Sequence, residues 1–155
     1  MKHAWPILFL TAAGMAAAAE PPGVAVWHPA DLKAKGRELS TKLSEKKAAG
    51  MPLGKFGNHF TMLTHREGSG DAELHEHQAD LFVVQSGGAT LVVGGEMVGA
   101  KNSGPGEVKG TSIRNGVKRK LAAGDIVHIP ARVPHQLLIE SGKELTYFVL
   151  KVDVK

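Results

Sequence analysis

The segment Leu74–Val84, which reads LHEHQADLFVV, decides how the rest of the chain is interpreted. It places two histidines and an aspartate within six positions and then continues as an apolar run. Successive side chains of a strand point to opposite faces, so a strand through this segment would carry His75 and His77 on one face. Two imidazoles on one face can fill adjacent positions around a metal ion, and Asp80 offers an oxygen ligand.

A third histidine follows far downstream, in the segment Gly124–His135, which reads GDIVHIPARVPH. Three neutral imidazoles with one carboxylate suit zinc, iron, manganese, nickel or copper, and they leave a position open for water or a substrate. We therefore predict that a divalent transition metal is bound by His75, His77, Asp80 and His135. In an enzyme, Asp80 would be a fourth ligand or a general base, and these patterns identify no dedicated acid–base pair.

The two segments resemble the two motifs of the cupin superfamily. The first motif usually reads G-x5-H-x-H-x3,4-E-x6-G, and this chain has H-x-H-x2-D-x6-G from His75 to Gly87. The second usually reads G-x5-P-x-G-x2-H-x3-N, and Gly124, Pro130 and His135 keep that spacing here. The resemblance implies that the motif histidines point into the mouth of a barrel and bind a metal there.

Four positions depart from these motifs. Asp80 replaces glutamate and comes at least one residue early, and Gly70 is one residue too close to His75. Arg132 stands where glycine is usual, and Ile139 stands where asparagine is usual. Because aspartate is shorter than glutamate, we expect Asp80 to reach the metal either directly or through a water molecule.

The chain from residue 51 onward is typical of an all-β fold. Short apolar runs alternate with turns, and the 19 glycines of the chain suit a fold that turns often. Such a pattern predicts a sandwich or a barrel. The cupin resemblance implies that it is a double-stranded β-helix, or jelly-roll barrel, over residues 51–155.

Residues 20–50 are predicted to form an N-terminal arm with an amphipathic helix. A proline and an aspartate suit the first turn, and Leu32, Leu39 and Leu43 recur on one face of a helix that would end near Ala49. This leucine stripe would pack on the barrel wall or on a partner subunit. Since cupin-like proteins often pair and symmetric dimers are common, we expect a homodimer.

Residues 1–19 have the pattern of a secretory signal peptide. A charged start is followed by an apolar stretch to Leu10 and by a small-residue tract that ends at Ala19. We predict cleavage before Glu20 and a periplasmic or secreted protein without a stable membrane anchor. The chain has no cysteine, so export would add no disulfide.

Composition limits the class of partner. A chain of 155 residues with 43% hydrophobic residues can bury the core of one domain. The net charge of +4 is modest and no long basic run is present, so nucleic acid is not indicated. The expected partner is therefore a small molecule.

Several other side chains have both a functional and a structural interpretation. His128 would be a partner of a metal ligand or an ordinary core or surface residue, and Tyr147 a general acid or a packed sheet residue. Arg132 would clamp a carboxylate or phosphate, or would be a solvated loop residue. His59 and His65 are further candidates for the pocket.

Two functional hypotheses remain at this point. In the first, the chain is a metal-dependent enzyme of dioxygenase, isomerase or lyase type that acts on a small molecule. In the second, it is a non-catalytic module that binds a small molecule or a sugar. The resemblance is compatible with both, because one fold hosts many functions.

Overall fold

A computed structural model describes residues 20–154, so the predicted signal peptide 1–19 lies outside the described residues. Within residues 20–154 the chain has one α-helix and twelve strands. None of the helical segments in this range has the length and apolarity needed to cross a membrane. The elements are α1 Pro29–Ser40, β1 Ala48–Phe56, β2 His59–Arg66, β3 Ala72–His75, β4 Gln78–Val93, β5 Glu96–Val98, β6 Lys101–Gly104, β7 Glu107–Gly110, β8 Ser112–Arg114, β9 Val117–Ala122, β10 Ile126–Ile129, β11 His135–Leu138 and β12 Leu145–Asp153.

Ten of these strands form one antiparallel sheet that curls on itself. Its main path runs β1-β2-β12-β4-β11-β3-β7-β6, and β9 and β10 also pair with β4. The first part of β4 pairs with β10 and β12, and its last part pairs with β9 and β11. One long strand therefore belongs to both walls of the barrel, while β5 and β8 form a separate ribbon.

Gly87 lies where β4 passes from one wall to the other. Its φ is +74°, and a Cβ atom at this position would lie 2.0 Å from the carbonyl oxygen of Glu144. Glycine alone has no Cβ, so it permits both this backbone conformation and this close approach.

The sheet of β2, β12 and β4 has an inner and an outer face. Alternate residues of β12 point inward, so Tyr147 and Val149 join Phe82 and Val84 in the main core. The outward neighbours pack under the helix instead, where Leu63 of β2 belongs to a second, smaller core. Adjacent residues of β12 therefore pack in two different cores, the main core and the smaller core under the helix.

Helix α1 covers the outer face. It begins with Pro29 at its first turn and buries two of the three leucines of the stripe, Leu32 and Leu39, against β1 and β2. Gly36 allows this contact, because a Cβ atom there would lie 3.0 Å from the Thr146 methyl group.

The helix is shorter than predicted. It ends at Ser40, whose hydroxyl group donates a hydrogen bond to the carbonyl of Arg37, and β1 already begins at Ala48. Ser and Thr hydroxyls compete for helical carbonyls in this way at helix ends, and Thr41 makes the equivalent bond to Glu38. Leu43 therefore lies beyond the helix.

Candidate metal centre

Three of the four predicted ligands meet inside the barrel. His75 is the last residue of β3, Asp80 lies near the start of β4, and His135 is the first residue of β11. All three are buried, with exposed fractions of 6%, 2% and 4% respectively. Asp80 Oδ2 lies 3.4 Å from His75 Nε2 and 3.6 Å from His135 Nε2.

Both imidazole rings are held by an acceptor on the side away from Asp80. His75 Nδ1 donates to the Glu107 carboxylate at 2.7 Å, and His135 Nδ1 donates to the Val133 carbonyl at 3.1 Å. Carboxylate and carbonyl oxygens only accept, so the proton of each neutral ring lies on Nδ1. The Nε2 lone pairs of His75 and His135 are therefore both turned toward Asp80, as they are in metal-binding histidines.

The spacing of these atoms fits a metal. Ligands bonded at about 2.0–2.1 Å in a tetrahedral site lie about 3.3–3.4 Å from one another. A charge-assisted hydrogen bond between the same groups would instead be about 2.7–2.9 Å long. The separation of 3.4 Å matches the first case and that of 3.6 Å is slightly longer, so both exceed a hydrogen bond and leave room for a cation between the groups. Glu73 adds a second carboxylate, since its oxygen and nitrogens of His75 and His135 lie within 4.8 Å of one another.

Lys151 brings a cation to the same place. Its Nζ donates to both Asp80 oxygens, at 2.7 and 2.9 Å, and to His75 Nε2 at 2.8 Å. Lys151 and Asp80 are directly paired across β12 and β4, so their side chains leave the sheet on the same face. The lysine was not predicted from the sequence, although Tyr147, Val149 and Lys151 share one parity in the final strand.

The structure does not bring His77 together with the other three residues. The prediction that His75 and His77 share a strand face is wrong, because β3 ends at His75 and the chain bends before β4 begins at Gln78. Glu76 fixes this bend by donating its backbone N–H to the carbonyl of Gly106 at 2.8 Å. The His77 side chain is 66% exposed and its Nε2 lies 3.8 Å from the Glu76 carboxylate.

The charges of the cluster shift its pKa values in different directions. Burial raises the pKa of Asp80, but contact with His75 and Lys151 outweighs burial and holds this pKa below its ordinary value. Burial lowers the pKa of His75, but the carboxylates of Asp80 and Glu107 outweigh it and hold this pKa above its ordinary value. For His135 burial prevails, and its pKa lies below the ordinary value.

A cavity of about 280 Å³ opens beside the cluster. Its polar wall contains two cations and two carboxylates, and Arg66 Nε donates to the Tyr147 hydroxyl group at 3.1 Å on one side of it. Tyr147 is buried, which raises its pKa even though Arg66 opposes the shift. The residues that line the cavity are Ala48, Ala49, Gly50, Met62, Thr64, Arg66, Glu73, Asp80, Phe82, Tyr147, Val149 and Lys151.

The remaining candidates lie elsewhere. His128 is exposed, and His59 stacks on Phe56 with ring centroids 5.4 Å apart. Arg132 is exposed with φ +65°, and its backbone N–H donates to the His75 carbonyl at 2.8 Å. This bond attaches the loop before β11 to the end of β3, so the backbone of Arg132 helps to bring His135 toward His75.

His65 belongs to a second cluster on the outer face of the sheet. The ring is buried, its Nδ1 lies 2.8 Å from the Thr146 hydroxyl group, and its Nε2 faces two glutamates. Glu67 is 3.5 Å away and Glu144 is 4.0 Å away, and both carboxylates are exposed to solvent. These three residues are also close enough to share a metal ion.

Comparison with known proteins identifies the fold. No protein-family model matches the chain, and comparison with curated proteins gives no match. Among solved structures, the protein TT1209 from Thermus thermophilus is 18% identical with a TM-score of 0.54, over 77% of this chain and 94% of that one. An uncharacterised Klebsiella pneumoniae protein with a double-stranded beta-helix domain is 17% identical with a TM-score of 0.52, over 71% of this chain and 80% of that one.

An oxalate oxidase in complex with glycolate is also similar, at 13% identity and a TM-score of 0.51. The match covers 71% of this chain and 53% of the oxidase chain. At these identities the similarity establishes the architecture and leaves the activity open. Together with the curled antiparallel sheet, it confirms the fold class expected from the motifs: the chain has a double-stranded β-helix fold.

Proposed function

We propose that the chain is a small-molecule cupin that binds one divalent transition metal through His75, Asp80 and His135, with Glu73 as a further carboxylate. The observation that carries this proposal is the arrangement of two imidazole lone pairs and one buried carboxylate. Their atoms lie 3.4 and 3.6 Å apart, and acceptors behind both rings fix the proton on Nδ1. Two histidines with a carboxylate form a set that suits iron, manganese, zinc, nickel or copper.

Side chains and a backbone carbonyl around the proposed site hold the two histidine rings in place. Glu107 and the Val133 carbonyl orient the two rings, and Phe82 packs against both His135 and Tyr147 and keeps bulk water from that side. When bound, the metal would supply a Lewis acid that polarises an oxygen of the substrate or of water. Glu73 lines the cavity beside this position, where it offers the further carboxylate.

The cavity favours a small anionic ligand. Arg66 and Lys151 balance Glu73 and Asp80 along its wall, so a divalent ion would add an excess positive charge there. A volume of about 280 Å³ suits a molecule of a few carbon atoms rather than a polymer. We therefore expect a small carboxylate, which an enzyme of dioxygenase, isomerase or lyase type would convert and a binding module would retain.

Metal analysis tests the proposal. The purified chain, loaded with zinc and dialysed, should retain about one ion per chain by elemental analysis. His135→Ala should lose it, while His128→Ala removes an exposed histidine outside the cluster and should retain it. Circular dichroism would establish that both variants are folded. A folded His135→Ala protein that still binds one ion per chain would refute the proposal.

The ligand class needs a separate measurement. Calorimetric titration of the metal-loaded chain with malonate should give heat of binding, and malonamide, which has a similar shape without charge, should give much less. Equal binding of the two probes would contradict an anionic ligand. A screen for products would then separate turnover from retention.

A further inference from the structure

Lys151 occupies the place that the proposed metal would need. Its ammonium group donates three hydrogen bonds, two to Asp80 and one to the Nε2 lone pair of His75, at 2.7–2.9 Å. Its side chain is only 15% exposed, whereas Asp80 is 2% exposed, so this is an ion pair of the barrel interior rather than of the surface. A protein cation therefore satisfies the same lone pairs that a metal ion would use.

Lysine and metal exclude each other at these atoms. A metal bonded to His75 and Asp80 at about 2.0–2.2 Å would use the lone pairs that now accept from Lys151. It would also bring a divalent charge close to the ammonium group in a poorly solvated site, where like charges repel strongly. Both groups cannot bind Asp80 and His75 in this geometry.

The cavity has room for the Lys151 side chain after a metal displaces it. Lys151 lines the cavity of about 280 Å³, and its flexible four-carbon stem can rotate the ammonium group into this space without a change in β12. There it would lie on the same wall as Arg66. Displacement therefore requires side-chain rotation and no unfolding of the sheet.

Lys151 also balances the negative charge of Asp80 in the metal-free chain. Without a cation, Asp80 would be a buried carboxylate with an exposed fraction of 2% and no charge to balance it, which is strongly unfavourable. Lys151 supplies that charge before any metal arrives. The metal-free barrel can therefore remain folded, and a metal must replace interactions that already exist.

We propose that Lys151 is an internal competitor of the metal, which holds the cation position in the metal-free chain and lowers the affinity of the site for divalent ions. This inference rests on the proposed metal site. Lys151 is then a residue that sets metal affinity, and only ions that bind histidine and carboxylate strongly enough would displace it. Zinc and copper would do so more readily than manganese, because they bind such ligands more tightly.

The affinity of Lys151→Met for zinc tests this inference. Methionine keeps much of the length of the side chain and removes the charge and the donors. Charge-assisted hydrogen bonds contribute roughly tenfold each to an equilibrium constant, so we expect zinc to bind Lys151→Met at least about tenfold more tightly than the natural chain. Competition with a chromophoric chelator measures both constants, and Lys118→Met, an exposed lysine on β9, serves as the matched control that should not change.

The variant leaves Asp80 unpaired when no metal is bound, so its folding is measured at the same time. Without zinc, Lys151→Met should unfold at a lower urea concentration than the natural chain. Addition of zinc should stabilise Lys151→Met more than it stabilises the natural chain. If it does not fold without metal, it is refolded with zinc, and the rate of zinc loss to excess chelator is compared with that of the natural chain. Slower loss from Lys151→Met supports competition, and equal loss overturns it.

The outcomes separate this inference from the proposed function. Equal zinc affinity of the natural chain and folded Lys151→Met overturns the role of Lys151 and leaves the metal site intact. If zinc binds to folded Lys151→Met but not to the natural chain, the competition is supported and a resident metal in the natural chain is contradicted. Absence of binding in both folded proteins overturns both proposals.

Discussion

Within residues 20–154, two clusters combine a buried histidine with carboxylates, and they lie on opposite faces of one sheet. On the inner face, Asp80 is itself buried and lies opposite two imidazoles. On the outer face, His65 is buried, but Glu67 and Glu144 are 42% and 55% exposed. Both clusters combine imidazole and carboxylate groups, two histidines with one aspartate on the inner face and one histidine with two glutamates on the outer face, and they differ in which partner is removed from water.

The partners behind the histidine rings differ as well. Glu107 and the Val133 carbonyl can only accept, so they fix the Nδ1 proton of His75 and His135. Thr146 contacts His65 Nδ1 through a hydroxyl group, which can donate or accept, and the carboxylate that can accept from this ring is Glu67, 3.5 Å from Nε2. The kinds of ligand group alone therefore do not distinguish the clusters. Burial of the carboxylate and the acceptor behind each ring do so.

The largest expected effect is on stability and comes from Asp80→Asn. This change leaves the Lys151 ammonium buried without its anion, and breaking a buried ion pair from one side costs about 3–5 kcal/mol. The matched change on the outer face, Glu67→Gln, removes an exposed carboxylate and should alter the free energy of unfolding by less than about 0.5 kcal/mol. Urea unfolding measures both. Similar losses in the two variants would remove the distinction between the clusters.

A smaller effect is expected on metal affinity from Glu107→Ala. Loss of the carboxylate behind His75 frees the ring to turn, and such supporting partners are worth about 10–100-fold in metal affinity. Thr146→Val makes the corresponding change behind His65 and should leave the zinc affinity of the chain within about twofold. Chelator competition provides both constants, and a larger loss in Thr146→Val would assign the metal to the outer cluster.

The smallest expected effect is on the ionisation of Tyr147, which reports how far water is excluded from the inner face. Tyr147 is the single tyrosine of the chain, and burial raises its pKa above the ordinary value. As pH rises past about 10, the phenol ionises in the unfolded chain first, so stability should fall by at most about 1.4 kcal/mol per pH unit from this group. Absorbance at 295 nm should show less phenolate at pH 10 in the folded chain than in the urea-unfolded chain.

Tyr147→Phe is the control for this measurement. It removes the group that ionises, so its stability should fall less steeply above pH 10 than that of the natural chain. A tyrosine that titrates normally in the folded chain would mean that water reaches the inner face as freely as it reaches the outer one.

The motif spacing was informative where strand geometry and turn residues agree. Gly124, Pro130 and His135 kept the spacing of the second motif, and the structure brings His135 to His75 and Asp80. His77 differs because strand parity applies only while the strand continues, and β3 ends at His75. Local sequence does not reveal this end, which depends on a backbone bond from Glu76 to Gly106, 30 positions further along.

The other residues of the site depend on long-range pairing. Lys151 meets Asp80 because β12 and β4 pair in a register that places them opposite each other. Glu107 meets His75 in the same way across β7 and β3. The alternation of the final strand shows that Lys151 shares a face with Tyr147, but only the register identifies the carboxylate opposite. A one-residue shift of either pair would turn these side chains to the other face.

The most direct test of the account is a crystal of the full chain soaked with zinc, with diffraction recorded on both sides of the zinc absorption edge. We expect one strong anomalous peak within about 2.0–2.2 Å of His75 Nε2, His135 Nε2 and an Asp80 oxygen, with the Lys151 ammonium moved into the cavity. A peak between His65, Glu67 and Glu144, with Lys151 still bonded to Asp80, would contradict it.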